Sequence, residues 1–488
     1  MNRKTYLTLA LIILISGAIG FSLLTRGQPW LDDFAEYLMQ ARSILNHSMG
    51  DFIRQNTFTV VNSSYPPGPV AYPWGFPLLL APVYAVFGMN TLALKLVNSL
   101  FYALFLLVFF MLARTRLKDH AALILTAALG FNLVLLQALD QLISDIPFLF
   151  FSTLGILLID RTARQKATLR TGLAIGVVLF MAAFIRTNGI LLLLPLALVQ
   201  LGVLWPQRDN RELLLAGLRS SAIPYLAFGL LYALQALIFP NAQDSYLSHF
   251  SMFTPVGLWG NLLYYLWLPA STFNGLPAAG LPYPVMLVFV VISASHRRER
   301  DLAVHAYALV TTALFIVWPE RQGLRFIYPI LPFLFIFAWD GMDIGLSWLR
   351  SAWQRPASIM AAGFWVLLAT LSLGVSVALA QTNLAGNRTV TGPFDSVSAE
   401  MFKFLREKTP SDSAVIFFKP RAMRLFTDRD AFITDNCANL SKAGYLAVSK
   451  KVEANGLIPL QELTVCTSGP PLQKVFENRR FTVYRIGN

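Results

Sequence analysis

Residues able to move a proton or hold a phosphate sit in three stretches of the 488-residue chain. The first holds Asp32, Asp33, Glu36 and Asp51. It continues through Tyr65-Pro66-Pro67-Gly68-Pro69 and Tyr72-Pro73-Trp74-Gly75-Phe76-Pro77. The second is short, Asp140-Gln141-Leu142-Ile143-Ser144-Asp145-Ile146-Pro147. The third is a set of arginines: Arg186 after Phe184-Ile185, Arg321 after Glu320, and Arg325 in Arg325-Phe326-Ile327-Tyr328-Pro329. A carboxylate at a low-dielectric boundary has a perturbed pKa and can accept a proton from a hydroxyl. Two of them also offer hard oxygen ligands to a divalent cation. A guanidinium fork grips a phosphate through paired hydrogen bonds. Plainer roles compete with these. Asp145 also suits a helix N-terminus, and the arginines and Lys95 also suit snorkelling. Tyr65, Tyr72 and Trp74 either stack on sugar faces or anchor at an interface.

The elements that must hold these residues are set by composition. Apolar residues make up 56% of the chain and charged residues 13%, against about 25% charged in an ordinary soluble domain. Mean hydropathy is +0.56. Disordered, collagenous and disulfide-scaffold classes are excluded, and a polytopic α-helical membrane protein is implied. Apolar runs long enough to span, about 20 residues, begin at residue 5 and near residues 92, 121, 146, 171, 189, 213, 281, 302, 325 and 357. That gives eleven spans, the first read as uncleaved. The stretch 75–88 is short and holds Pro77 and Pro82; 256–273 is rich in Trp and Tyr and reads as interfacial.

The net charge of +13 first suggests nucleic acid. The placement of the charges rejects it. Before residue 381, one set of connections carries 17 Lys and Arg and the alternate set 7; the remaining 15 follow in the tail. That asymmetry is the positive-inside pattern. It places the N-terminus in the cytoplasm and, with an odd span count, the tail outside a bacterial inner membrane. The multi-span region covers 1–380, with a long first outer loop at 25–91. Residues 381–488 read as a small extracytoplasmic α/β domain, with strand-like runs at 414–418, 445–448 and 481–485 and a helical pattern over 398–408. Its Lys419, Arg421, Arg424 and Arg429 read as a basic face, either solvated or touching anionic glycan. Cys437 and Cys466 fit either a disulfide or two buried thiols.

Four pieces give a resemblance: Asp33 with Tyr37 and Ala41; the proline-rich loop leading into Pro77-Leu78-Leu79-Leu80-Ala81-Pro82; Ser144-Asp145-Ile146-Pro147-Phe148; and Arg325-Phe326-Ile327-Tyr328-Pro329. Over roughly residues 1–380 the chain resembles the GT-C glycosyltransferases. It looks closest to the branch with the protein O-mannosyltransferases and lipid A aminoarabinose transferases, glycosyltransferase family 39. The resemblance implies a polyprenyl-phosphate sugar donor and a catalytic first-loop aspartate, matched by Asp33. Here Asp-Asp-Phe stands where the family often has Asp-Glu, so Asp32 is the alternative. Asp145 matches the second-loop aspartate, with Asp140 beside it as a substrate contact. The family's lysine before the paired prolines is Tyr65 here, which moves phosphate binding onto Arg186, Arg321 and Arg325. Some members bind a metal; the candidate ligands are Asp33, Asp145 and His249.

The function implied is inverting sugar transfer to a lipid, glycan or protein on the outer face of the membrane. No G-x-G-x-x-G or G-x-x-x-x-G-K occurs, which fits a lipid-linked donor and argues against an ATP-driven pump. Two alternatives stand: a transporter or flippase of lipid-linked saccharides, and a polymerase or ligase using a polyprenyl diphosphate. Transporters place ionisable residues deep within spans and repeat their halves, whereas these charges lie at outer span ends and no halves repeat.

Overall fold

A computed structural model describes residues 2–65, 67–162, 168–240, 255–296, 301–318, 320–321, 323–450, 460–466 and 469–487. Its helices are α1 (Arg3–Leu23), α2 (Asp33–Leu45), α3 (Met49–Asn62), α4 (Gly75–Phe87), α5 (Thr91–Ala113), α6 (Asp119–Gly130), α7 (Leu133–Ala138), α8 (Asp145–Thr162) and α9 (Leu169–Ile185). They continue as α10 (Leu193–Leu204), α11 (Arg211–Ile238), α12 (Pro255–Trp267), α13 (Pro282–His296), α14 (Leu302–Val317), α15 (Leu331–Ser347), α16 (Ser351–Ala385), α17 (Ser396–Lys408) and α18 (Pro420–Thr427).

Each of the eleven expected apolar runs is helical. Among the described residues, five helices are long and apolar enough to cross a membrane by length and composition alone: Arg3–Leu23, Thr91–Ala113, Thr187–Gln207, Arg211–Ile238 and Ser351–Ala385. Shorter apolar helices include Asp119–Gly130, Leu169–Ile185, Pro282–His296 and Leu302–Val317. The run from 119 stops at Phe131, where the Asn132 side chain caps α7 instead. The two stretches left out of the span count form α4 and α12. The ends of the shorter helices are tied by a buried cluster. Arg116, between α5 and α6, meets Asp160 of α8 at 2.9 Å and Asp301 before α14 at 2.6 Å.

The C-terminal strands are β1 (Val415–Ile416), β2 (Ala431–Phe432), β3 (Tyr445–Ser449), β4 (Leu472–Glu477) and β5 (Phe481–Ile486), in the spatial order β2-β1-β3-β5-β4. β1 pairs in parallel with β2 and β3; β5 runs antiparallel to β3 and β4. The run at 414–418 contributes only a two-residue strand. The sequence hid β2 and β4, one too short to alternate and the other mostly half-exposed. Cys437 and Cys466 are disulfide-bonded, with Cα atoms 5.8 Å apart.

The membrane helices and the sheet share one hydrophobic core. Trp30, just before α2, is fully buried among Phe402, Phe417 and Phe481, with ring centroids about 6 Å away. The backbone N–H groups of Arg26 and Gln28 donate to Thr389 and Thr391. The expected basic face of the tail is absent. Arg421, Arg424 and Arg429 are 0%, 4% and 7% exposed. Arg424 pairs with Asp430, and Arg429 donates to the carbonyls of Arg406 and Thr409 at 2.8 Å each. The sequence pattern is amphipathic, but on α18 the cationic stripe faces inward, where buried charges need partners. Removing the Trp30 side chain leaves a cavity between the helices and the sheet. Trp30→Ala should cost about 3–5 kcal/mol, read as a lowered thermal midpoint in detergent and faster proteolysis between α16 and α17.

Candidate functional site

Four chain segments converge at one end of the bundle. Asp33 opens α2, with Glu36 and Tyr37 one turn on. Asp145 opens α8, where Pro147 fits the first turn because no N–H is needed there. Arg186 is the first residue beyond α9, in extended conformation. Gly75 lets the first loop reach it: a Cβ there would lie 2.5 Å from the Phe184 carbonyl oxygen. Arg325 lies in a 3-10 turn, Leu324–Ile327, leading into α15.

The acids and arginines meet pairwise. Arg325 Nη1 donates to Asp33 Oδ2 at 2.7 Å, and Arg186 Nη1 to Asp145 Oδ1 at 2.6 Å. Phe326 lies between the pairs, its ring centroid 5.2 Å from the Arg186 guanidinium carbon and 5.5 Å from that of Arg325. Tyr72 donates its hydroxyl to Asp33 Oδ1 at 2.9 Å, and Tyr37 and Ser144 hydroxyls lie 3.0 Å apart. Asn98 holds the second loop through the carbonyls of Gln141 and Ile143.

The adjacent acids differ in environment. Burial alone would raise the Asp33 carboxyl. The charge and hydrogen bond of Arg325, with the Tyr72 hydroxyl, outweigh it and hold Asp33 below the usual carboxylate range. Burial pushes Asp32 up, even with Lys419 and Arg421 nearby. Asp32 accepts from the Ala422 N–H, so it caps the start of α18. It links the start of α2 to α18 and makes no ion pair with Arg325 or Arg186. Glu36 is fully buried, and burial pushes its carboxyl up to about 8 against the pull of Arg421.

Other expected residues lie elsewhere. Arg321 donates to Asn261 at 3.0 Å and stacks on Tyr264 of α12; its partners belong to the interfacial helix, not to the acids. Tyr65 is bonded to Asp435 of the C-terminal domain. Trp74 is buried against Phe52 and Phe239 and donates to the Pro240 carbonyl, so its ring is spent on packing. Asp140 binds Lys95 at 2.7 Å and the Thr25 N–H at 2.6 Å. Lys95 is fully buried and does not snorkel. His249 lies outside the described residues. Among the described residues no group of three or more His, Cys, Asp or Glu side chains is placed to hold a metal ion. Asp33 and Asp145 each face a guanidinium, which repels a cation. They do not fit a divalent metal. Phe326 entered the sequence reading only as part of the Arg325 motif and Arg421 only as part of a basic face of the tail; nothing in their spacing placed either one beside Asp33.

No protein-family model matches the sequence, and no curated protein matches it. Solved structures do. ArnT from Cupriavidus metallidurans bound to undecaprenyl phosphate aligns over 99% of this chain and 98% of its own, at 15% identity and a TM-score of 0.60. The archaeal oligosaccharyltransferase AglB from Archaeoglobus fulgidus, in complex with an inhibitory peptide and a dolichol-phosphate, aligns over 92% of this chain and 70% of its own, at 13% identity and a TM-score of 0.52. With a helical bundle of this order carrying a small C-terminal sheet, the chain shares the fold of these two solved structures.

Proposed function

We propose that the chain is an integral-membrane glycosyltransferase. It moves a sugar from a polyprenyl-phosphate donor to a hydroxyl of a lipid, glycan or protein acceptor at the outer face of a bacterial inner membrane. In this reading the N-terminus is cytoplasmic and the C-terminal domain is outside. The observation that carries the proposal is the pair of arginine–carboxylate contacts around Phe326. The fold neighbours add support: ArnT was solved with undecaprenyl phosphate and AglB with a dolichol-phosphate.

The donor phosphate takes up hydrogen bonds from Arg325 and Arg186, in competition with their carboxylate partners. Asp33, relieved of part of its pairing, accepts the proton of the acceptor hydroxyl. The acceptor oxygen attacks the anomeric carbon, the bond from that carbon to the phosphate oxygen breaks, and polyprenyl phosphate leaves with the electron pair. Asp145 keeps Arg186 oriented. Tyr72 stays a hydrogen-bond donor, because burial and the Asp33 charge hold its hydroxyl protonated.

General-base assistance is worth about 10²–10⁴ in rate. Asp33→Asn should therefore lose transfer from radiolabelled undecaprenyl-phosphate sugars by that factor while remaining folded; unchanged transfer removes Asp33 from the mechanism. Each arginine's hydrogen bonds to a charged group are worth about 1.5–3 kcal/mol. Arg325→Ala and Arg186→Ala should weaken binding of undecaprenyl phosphate itself about tenfold or more, and undiminished binding would move the phosphate elsewhere. Asp33 is held below the usual carboxylate range, so the acid limb of kcat/KM should lie below that of an ordinary aspartate. Tyr72→Phe removes a stabilising donor and should move that limb upward. A diphosphate-linked donor turned over in place of the monophosphate would instead favour a polymerase or ligase.

A further inference from the structure

Arg421 is the second residue of α18 in the C-terminal domain, yet its side chain lies inside the first loop. It is fully buried. Its Nη1 donates to the Pro67 carbonyl at 3.0 Å and its Nη2 to the Pro69 carbonyl at 2.5 Å. Nη1 also lies 2.5 Å from Glu36 Oε2, and the guanidinium carbon is 5.4 Å from the Tyr72 ring centroid. The same Glu36 accepts the Tyr72 backbone N–H at 3.0 Å, and Gln40 donates to the Tyr72 carbonyl at 2.8 Å. Tyr72 is thus gripped on its ring and on both sides of its backbone. Its one remaining polar atom, the hydroxyl, points at Asp33 Oδ1.

Gly68 gives a second, independent sign that this contact is built in. It has φ +130°, a conformation that L side chains rarely adopt. A Cβ there would come within 3.0 Å of the Tyr72 hydroxyl oxygen and 3.1 Å of Arg421 Nη1. The loop is closed down on the guanidinium and the phenol together. A planar fork can serve two carbonyls and a carboxylate at fixed angles, which a lysine ammonium cannot do.

We propose that Arg421 is a positioning residue: the C-terminal domain sets the orientation of Asp33 by lodging this guanidinium against Tyr72 and Glu36. The proposal rests on the glycosyltransferase reading for what Asp33 does, but the coupling from Arg421 to Asp33 stands apart from it. The domain is then a working part of the site and not only a cover. A merely structural Arg421 would, when removed, lower stability and leave the surviving folded molecules with an unchanged Asp33.

The test uses the full-length protein in detergent. Labelling of the Asp33 carboxyl by dicyclohexylcarbodiimide is followed by mass spectrometry in Arg421→Lys, Glu36→Gln, Tyr72→Phe and the Arg421→Lys/Tyr72→Phe double variant. Thermal midpoints confirm that each is folded, and Glu36→Gln keeps the test alive if Arg421→Lys does not fold. Labelling of Asp33 should rise in each single variant, and the double variant should label no faster than Tyr72→Phe alone. With an undecaprenyl-phosphate sugar that the wild type turns over, kcat should fall about tenfold while KM stays within about twofold. Wild-type labelling in folded Arg421→Lys or in folded Glu36→Gln overturns the proposal, as does a double variant whose effect is the product of the two singles. Retained turnover by Asp33→Asn would instead overturn the base assignment and leave the labelling result intact.

Discussion

Charge buried at this end of the bundle has to be neutralised side chain by side chain, because little water reaches it to do so. Asp33 answers Arg325, Asp145 answers Arg186, Glu36 answers Arg421 and Asp140 answers Lys95. Each pair joins segments far apart in the chain. Pairing therefore fixes more than local electrostatics: it sets which loop lies beside which helix. In two of the four pairs the cation itself is partly open, with Arg325 at 27% and Arg186 at 18% exposure; Lys95 is sealed at 0% beside a 20%-exposed Asp140, and Glu36 and Arg421 are both sealed at 0%. The sealed pair holds the frame. The open pairs are the ones that an anion could enter and rearrange.

The same constraint explains how far the sequence could be read. Helix positions follow from long apolar runs, and all of these were legible. The charges at their ends were legible as a set, because arginines on the sparsely basic side of a membrane protein demand a reason. Their pairing was not. Nothing in the spacing of Asp33 and Arg325 says that they touch across 292 residues of chain. Arg321 was grouped with Arg325 by proximity in sequence, but its side chain meets Asn261 and Tyr264 of α12.

Aromatic residues misled in a consistent way. Tyr65, Tyr72 and Trp74 fall within one short stretch, and composition cannot separate them. In the structure one is bonded to the C-terminal domain, one touches Asp33 and one is packed away. The tail hid its role for a related reason. Arginines on a short helix read as a surface, and only tertiary packing shows that α18 is turned towards the first loop. Trp30 belonged to no pattern in the sequence, and it is the centre of an aromatic cluster built from three parts of the tail.

That cluster has a consequence for how the protein is made. Trp30 and Asp33 leave the ribosome well before Phe402, Phe417, Arg421 and Phe481. Until the C-terminal sheet has formed, the first loop has no partner for Trp30 or Glu36 and cannot take its final shape. These two segments must find each other after every helix between them has been made. Their joining therefore waits on the whole bundle, and a chain cut short before α18 carries the acidic residues without the arrangement that gives them direction.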